Sequence, residues 1–364
     1  MEKVGGLTVK NNFDLSFYKG RRVFVTGHSG FKGSWLCRLL LNAGAEVTGY
    51  ALAAEKPSLF DIADISSHMA SEIGDIRDLN SLRMAFDTAK PEIVFHLAAQ
   101  PIVRESYKNP AYTYETNVMG TVNILECIRE SGTVRSFLNV TTDKVYRNRE
   151  WEWGYRENEE LNGLDPYSNS KSCSELVTGT YKNCFLDGLG VRVSTVRAGN
   201  VVGGGDFSAD RIVPDCVRAV TEGRKIIVRN PYSVRPFQHV LDALTAYLMI
   251  AAGQHGNASL AGSYNVGPDE CDCITAGELA ELFCKYWGSG AEWETRAENN
   301  APREANFLKL DCSKLKSVFG WKPVWNIEKS MDEVCRFTKE MLSEGDIPKE
   351  MDREICEFLE DRSK

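Results

Sequence analysis

The stretch RRVFVTGHSGFKGSWLCRLLLNAG, residues 21–44, narrows the folds open to this chain more than any other feature. A β-branched, apolar run ends in Gly27. Glycines recur at positions 30 and 33, and Trp35, Leu36, Leu39 and Leu40 then take up helical spacing. A strand that turns directly into a helix can rejoin its sheet only by a crossover, so the next strand runs parallel and the helix covers one face. The same alternation repeats downstream. EVTGYAL (46–52), SEIGDI (71–76), EIVFHLAA (92–99), SFLNVTT (136–142) and VRVSTVRAG (191–199) read as strands. Helices are expected over about 78–89, 110–131 and 167–186.

This order predicts an α/β fold, a doubly wound parallel Rossmann-type sheet with helices on both faces. The pattern loosens after residue 199, where GGG (203–205) marks a loop and short strands such as IIVRN (226–230) sit among helices. At 364 residues the chain has room for a second domain. Residues 17–198, with a return segment near 237–262, are expected to form the sheet domain. Residues 199–236 and 263–345 are expected to form a smaller α+β substrate domain. The charged segment 346–364 has Ile347, Met351, Ile355 and Leu359 four apart, the spacing of a short helix lying on the body.

Glycines between a first strand and a first helix let the backbone approach a pyrophosphate, while the helix N-terminus offers N–H groups and partial positive charge. Gly27, His28, Gly30, Phe31, Lys32 and Gly33 are therefore candidate dinucleotide contacts. Tyr50, Ala51 and Leu52 close the second strand, with neither a carboxylate for a ribose hydroxyl nor an arginine for a 2′-phosphate. NAD is favoured over NADP. Asp75 and Ile76 are positioned to border an adenine. Leu97, Ala98, Ala99 and Gln100 end the fourth strand, where ligands bind in open α/β sheets, with Asn117 supporting them and Thr141 ending the fifth.

A net charge of −8 argues against a nucleic-acid partner, which wants a basic surface. No apolar stretch reaches the length of a membrane span, and MEKVGGLTVKNNFDLSFYKG lacks a signal-peptide core. Eleven scattered cysteines suit a reducing, cytoplasmic setting, and the spacing in CDC (271–273) is wrong for a zinc knuckle, so no metal is expected.

Tyr167 and Lys171 lie four apart after Asp165 and Pro166, a helix cap and first position, so both project from one helix face. An ordinary phenol, with a pKa near ~10, is a poor base. A neighbouring ammonium favours the phenolate, and the pair then suits removal of an alcohol proton. In NVTTDKVY (139–146), Asp143 and Lys144 read either as an exposed ion pair or as a buried acid and base.

VFVTGHSGF, HLAAQ, TTDKVY and YSNSK together resemble the extended short-chain dehydrogenase/reductase superfamily. NREWEWGYREN, DPYSNSK, RAGNVVGGGDF, RNP, VRPFQHVL and LKLDCSK are similar, in order, to the CDP-glucose 4,6-dehydratases. Phe237 and Arg303 depart from that pattern, which is expected to have tryptophan and histidine there.

The resemblance implies NAD-dependent loss of water from CDP-D-glucose, giving CDP-4-keto-6-deoxy-D-glucose for deoxy-sugar synthesis. It implies Tyr167 as base for the 4-hydroxyl, Thr142 on the same oxygen, Lys171 as its charged support, Lys144 as base at C5 and Asp143 as acid at the 6-hydroxyl. Gln100, Asn200, Arg211, Arg235 and Arg303 are candidate substrate contacts, since guanidinium groups grip phosphate bidentately. The segment 146–166, with Trp151, Trp153 and Tyr155, reads as a lid or subunit contact. A homodimer or homotetramer is expected. A nucleotide-sugar 4-epimerase needs Tyr167 and Lys171 but no acid–base pair for elimination. A silent dinucleotide sensor has no use for Tyr167.

Overall fold

The computed structural model describes residues 14–288, 290–296 and 306–364. Its strands are β1 (Arg22–Thr26), β2 (Glu46–Ala51), β3 (Ala70–Ile73), β4 (Ile93–His96), β5 (Ser136–Val140), β6 (Arg192–Ala198), β7 (Asn200–Val202), β8 (Ile226–Val228), β9 (Val234–His239), β10 (Ser263–Val266), β11 (Cys273–Thr275) and β12 (Trp293–Thr295). Seven of them form one parallel sheet in the order β10-β6-β5-β4-β1-β2-β3. The strand order reverses beside β1, where β4 has crossed to the other side, and ligands of such sheets bind in the crevice beyond the strand ends at that point.

Strands buried on both faces read as continuous apolar runs, and β4 and β5 are buried throughout. One face packs Trp35, Leu36, Leu39 and Leu40 of the helix Phe31–Asn42 with the helix Val240–Gly256. That second helix, VLDALTAYLMIAAGQHG, is apolar nearly all round because it lies deep in the core. The opposite face packs Leu82 and Phe86 with Ile124, Leu125 and Ile128.

The helix expected over 110–131 is interrupted. A π turn, Glu115–Met119, joins Pro110–Tyr114 to Gly120–Glu130, and it carries Asn117 inward. Such turns cluster at functional sites.

A smaller lobe has its own core of Val213, Cys216, Phe237, Leu279, Phe283, Met331 and Val334. The sheet β11-β9-β7 and the pair β12-β8 belong to it. The sequence reading ends the return segment at 262. The structure carries it four residues further, because Ser263–Val266 pairs in parallel with Thr195–Ala198 as the edge strand β10.

The segment 346–364 is a 17-residue helix, Ile347–Ser363, rather than a short one. Ile347, Met351, Ile355 and Phe358 sink into the main core. Asp352 binds Arg38 of the Phe31–Asn42 helix, and Arg353 pairs with Glu333 of the lobe helix Ile327–Leu342. The helix thus staples the sheet domain to the lobe.

Candidate active site

The turn after β1 is shaped by contacts that only glycine permits. Gly27 has φ +74°, and a Cβ there would lie 2.7 Å from the Ala98 nitrogen. A Cβ on Gly33 would lie 2.1 Å from the Gly27 carbonyl oxygen, so the helix starts hard against the turn. Gly30 caps the helix with no side-chain bond, leaving its first N–H groups open, and a Cβ there would meet nothing nearer than 3.5 Å. Two glycines therefore close the turn and the third leaves a cradle at a helix N-terminus. That arrangement fits the pyrophosphate of a dinucleotide.

The other candidates around the turn fall into two groups. Leu97 and Ala98 donate their N–H groups to the Thr26 carbonyl and hydroxyl, which brings the Leu97–Ala99 backbone beside the turn. Asn117 accepts from the Gln100 N–H at 2.8 Å and donates to the Ser170 hydroxyl at 2.9 Å, locking this strand end to the Tyr167 helix. Asp75 is gripped by Arg77, first by side-chain hydrogen bonds, and its carboxyl lies below the usual range. Ile76 is buried against Gly120.

The His28 side chain does not face the cradle. It turns inward over Gly49, 2.8 Å from the Ser71 hydroxyl and edge-on to Phe60, and burial lowers its pKa to about 4. Gln100 also turns inward. Its amide donates to Thr113 at 2.9 Å and accepts from the Ile102 N–H at 2.6 Å, so it braces the loop instead of lining the cleft.

Beyond the end of β5 the backbone tightens into a 3-10 turn, Asp143–Val145, capped by the Thr142 hydroxyl. Thr142 donates to Asp143 Oδ1 at 2.9 Å, while Asp143 Oδ2 is buried with no hydrogen-bond partner. Asp143 is buried beside Lys144, so this is no surface ion pair. Burial raises the Asp143 carboxyl above its ordinary range, with Lys144 and then Thr142 and Arg235 acting the other way.

Tyr167 and Lys171 share one buried helix face, as their spacing requires. The Lys171 ammonium donates to the Val140 carbonyl at 3.1 Å, and burial lowers its pKa to about 8. The Tyr167 phenol is pushed up to about 12, against the sequence expectation of a lowered value, because burial outweighs Thr142 and Arg211.

Behind this group, Glu175 and Arg197 form a buried pair with two 3.0 Å bonds. Glu175 also accepts from Thr141 at 2.5 Å and Thr195 at 2.7 Å, which accounts for Thr141 as scaffold for the strand end. Arg197 reaches on to the Tyr146 hydroxyl and the Glu157 carbonyl.

A cleft of about 550 Å³ opens between sheet domain and lobe. Thr142, Asp143, Lys144 and Tyr167 line it, with Asn200, Arg211, Arg235 and Lys32. Burial, then Arg211 and Lys171, brings the Lys32 ammonium down to about 7. Arg303 lies outside the described residues. Arg104 and Arg229 also line the cleft and were not anticipated. Their only sequence signal is position, since each follows a strand's carboxyl end, β4 and β8. The segment 146–166 folds over one side. Tyr146 and Tyr155 stack at 5.3 Å, and the Glu150 carboxylate caps the N–H groups of Asn306 and Phe307.

A family model described as GDP-mannose 4,6 dehydratase matches residues 24–334. CDP-glucose 4,6-dehydratase from Salmonella typhimurium is 46% identical over 353 residues, 95% of this chain and 98% of that protein. Among solved structures, UDP-glucose 4-epimerase from Thermus thermophilus in complex with NAD matches with a TM-score of 0.76 and 25% identity, over 87% of this chain and 99% of that one. dTDP-glucose 4,6-dehydratase from Bacillus anthracis in complex with NAD shares the fold at a TM-score of 0.74 and 20% identity, over 89% of this chain and 98% of that one. With a family match across most of its length and a relative sharing nearly half its residues end to end, this chain belongs to the GDP-mannose 4,6 dehydratase family, within the extended short-chain dehydrogenase/reductases.

Proposed function

We propose that this protein removes water from CDP-D-glucose with the help of NAD, giving CDP-4-keto-6-deoxy-D-glucose for deoxy-sugar synthesis. The observation that carries the reading is the buried Asp143, its Oδ2 without a hydrogen-bond partner, beside Lys144 in one cleft with Thr142 and Tyr167. An epimerase needs no such acid and base. The 46% identity to a CDP-glucose 4,6-dehydratase supports the choice of substrate.

The turn of Gly27, Gly30 and Gly33 would hold NAD by its pyrophosphate, with Asp75 and Ile76 toward the adenine and Leu97–Ala99 alongside. Bound there, NAD would supply the hydride acceptor for sugar C4 and the hydride donor for C6. Tyr167 takes the proton of the 4-hydroxyl, and Thr142 hydrogen-bonds the same oxygen. A phenol pushed up to about 12 is protonated at rest, so it needs positive charge nearby to act as a base. Lys171 supplies it from the next helical turn, and Arg211 from the cleft. The 4-ketone acidifies C5–H, which Lys144 removes. Asp143, its carboxyl raised by burial, serves as the acid that gives a proton to the 6-hydroxyl, which leaves as water.

Arg211 and Arg235, which line the cleft with Asn200, would bind the diphosphate. The reading includes self-association, since Tyr107, Leu164 and Leu176 are exposed on or beside the neighbouring helices Val103–Lys108 and Pro166–Tyr181. Incubation with CDP-, UDP-, dTDP- and GDP-glucose, and identification of products by mass spectrometry and NMR, tests the function. A 4-keto-6-deoxy product from CDP-glucose alone is expected. A 4-epimer, or no reaction with any of the four, would refute it.

A further inference from the structure

Glu175 sits one helical turn beyond Lys171, on the same buried face of the helix Pro166–Tyr181, and the chemistry above gives it no part. Four hydrogen bonds converge on its two carboxylate oxygens. Thr141 donates at 2.5 Å, Thr195 at 2.7 Å, and Arg197 through Nε and Nη2 at 3.0 Å each. Two threads run from this carboxylate to Lys171. One is mechanical. Thr141 follows Val140, whose carbonyl accepts the Lys171 ammonium at 3.1 Å. The Thr141 N–H bonds the Val196 carbonyl at 2.8 Å while its hydroxyl reaches Glu175, so the seat of the ammonium is pinned from behind.

The other thread is electrostatic. Lys32 of the helix Phe31–Asn42 and His96 of β4 face Lys171 from neighbouring elements, and Tyr167 and Glu175 lie on its own helix face. Burial, then Arg211 and Lys171, brings Lys32 to about 7, with Asp143 and Asp206 acting the other way. Burial, then Lys171, brings His96 to about 3, and the Tyr167 phenol stands at about 12. Where Lys171 itself titrates, at about 8, Lys32 and His96 are therefore largely neutral and the phenol keeps its proton. The charge that then acts on the ammonium is Glu175, which opposes the burial that lowers it.

We propose that Glu175 is a positioning residue for the reaction: from behind the site its carboxylate maintains both the charge and the seat of Lys171, and Arg197 holds that carboxylate in place. The inference rests on the Tyr167–Lys171 part of the function proposed above. A buried ammonium next to a phenol can support the phenolate only while it stays charged, and burial works against that charge. Arg197 keeps the carboxylate ionised and aimed, at the cost of offsetting part of its attraction for Lys171. The pair thus does more than fasten the helix Pro166–Tyr181 to β6. It extends the pH range over which the ammonium is present.

NMR of the full-length protein carrying carbon-labelled lysine reads this ammonium directly, with Lys171→Arg identifying its signal. In the wild type it should titrate at about 8. Glu175→Gln keeps the shape and an acceptor oxygen for Thr141 while removing the charge. It should lower the midpoint by about 0.5–1 pH unit, the small end of what a close opposite charge does, because Arg197 cancels part of it. The falling limb of kcat/KM should move down with it. Glu175→Leu combined with Arg197→Met buries no unpaired charge and should lower the midpoint too, so the test stands if the single variant folds poorly. Thr195→Val is the control: it removes one donor to Glu175 but keeps the charge, and the midpoint should stay. An unmoved midpoint without the Glu175 charge, or an equal fall in Thr195→Val, would overturn the inference and leave Glu175 to packing alone. The NMR arm uses no substrate, so it decides the role of Glu175 even if no nucleotide sugar reacts, an outcome that would sink the proposed function instead.

Discussion

Arg197→Met removes one half of an ion pair that the fold keeps almost dry. The Arg197 and Glu175 side chains are 3% and 2% exposed, and two 3.0 Å bonds join them. Losing the guanidinium strands the Glu175 carboxylate, with only the Thr141 and Thr195 hydroxyls as donors. Breaking a buried pair from one side costs about 3–5 kcal/mol, a large share of the ~5–15 kcal/mol that usually holds a domain together. In urea the midpoint should fall at an unchanged slope. Adding Glu175→Leu should recover most of the loss, because Thr141 keeps the Val196 carbonyl at 3.1 Å and Thr195 keeps the Ser263 hydroxyl at 3.0 Å. A residue of about 1 kcal/mol should persist for the hydrogen bonds Arg197 makes to Tyr146 and Glu157. The reasoning fails if the single change costs less than about 1 kcal/mol, or if the double variant is no more stable than the single one.

Other perturbations act on the chemistry. Tyr167→Phe should lower turnover about a hundred- to ten-thousandfold while NAD affinity, read by calorimetry, stays within about twofold. Near-normal turnover would take the proton acceptor away from Tyr167. Lys144→Met should abolish both elimination and exchange of solvent deuterium into C5, whereas Asp143→Asn should block elimination and still permit the exchange. Identical exchange behaviour in the two variants would refute separate acid and base roles. Burial brings Lys171 to about 8, so its charged form is present below that pH and lost above it. The kcat/KM profile should fall about tenfold per pH unit beyond it, and Lys171→Arg should move that limb upward. An unmoved limb in the arginine variant would assign it to another group.

The alternation of strands and helices and the Tyr167–Lys171 helix face were legible because each follows from short-range periodicity. A period of two or of 3.6 is written along the chain. The Gly27–Gly33 turn was legible for a related reason: glycine at a strand–helix junction has few other uses. The direction of a side chain was not. His28 and Gln100 occupy the right positions yet turn inward, and what decides this is Gly49 for one and Thr113 for the other, residues on separate elements. Arg104 and Arg229 escaped notice because a lone arginine in a loop has no local signature, and only the crossing of the chain brings both to one cleft. The rise of the Tyr167 phenol was missed because spacing reports that Lys171 is near but not that the site is dry. The position of Ser263–Val266 in the main sheet depends on pairing with a strand some seventy positions earlier, which no local window contains.

The helix Ile347–Ser363 carries a kinetic meaning. Its Asp352 meets Arg38 across 314 positions of chain, and its apolar side enters the same core as Val23 and Trp35. Contacts of such sequence separation carry a large loop-closure cost and arrive late in folding. Until that helix docks, the outer side of the Phe31–Asn42 helix and the neighbouring lobe helix stay uncovered, presenting apolar surface to other chains. Dilution, or a chaperone that shields such surface, should therefore raise the refolding yield, while the helix in its docked place closes the core against solvent.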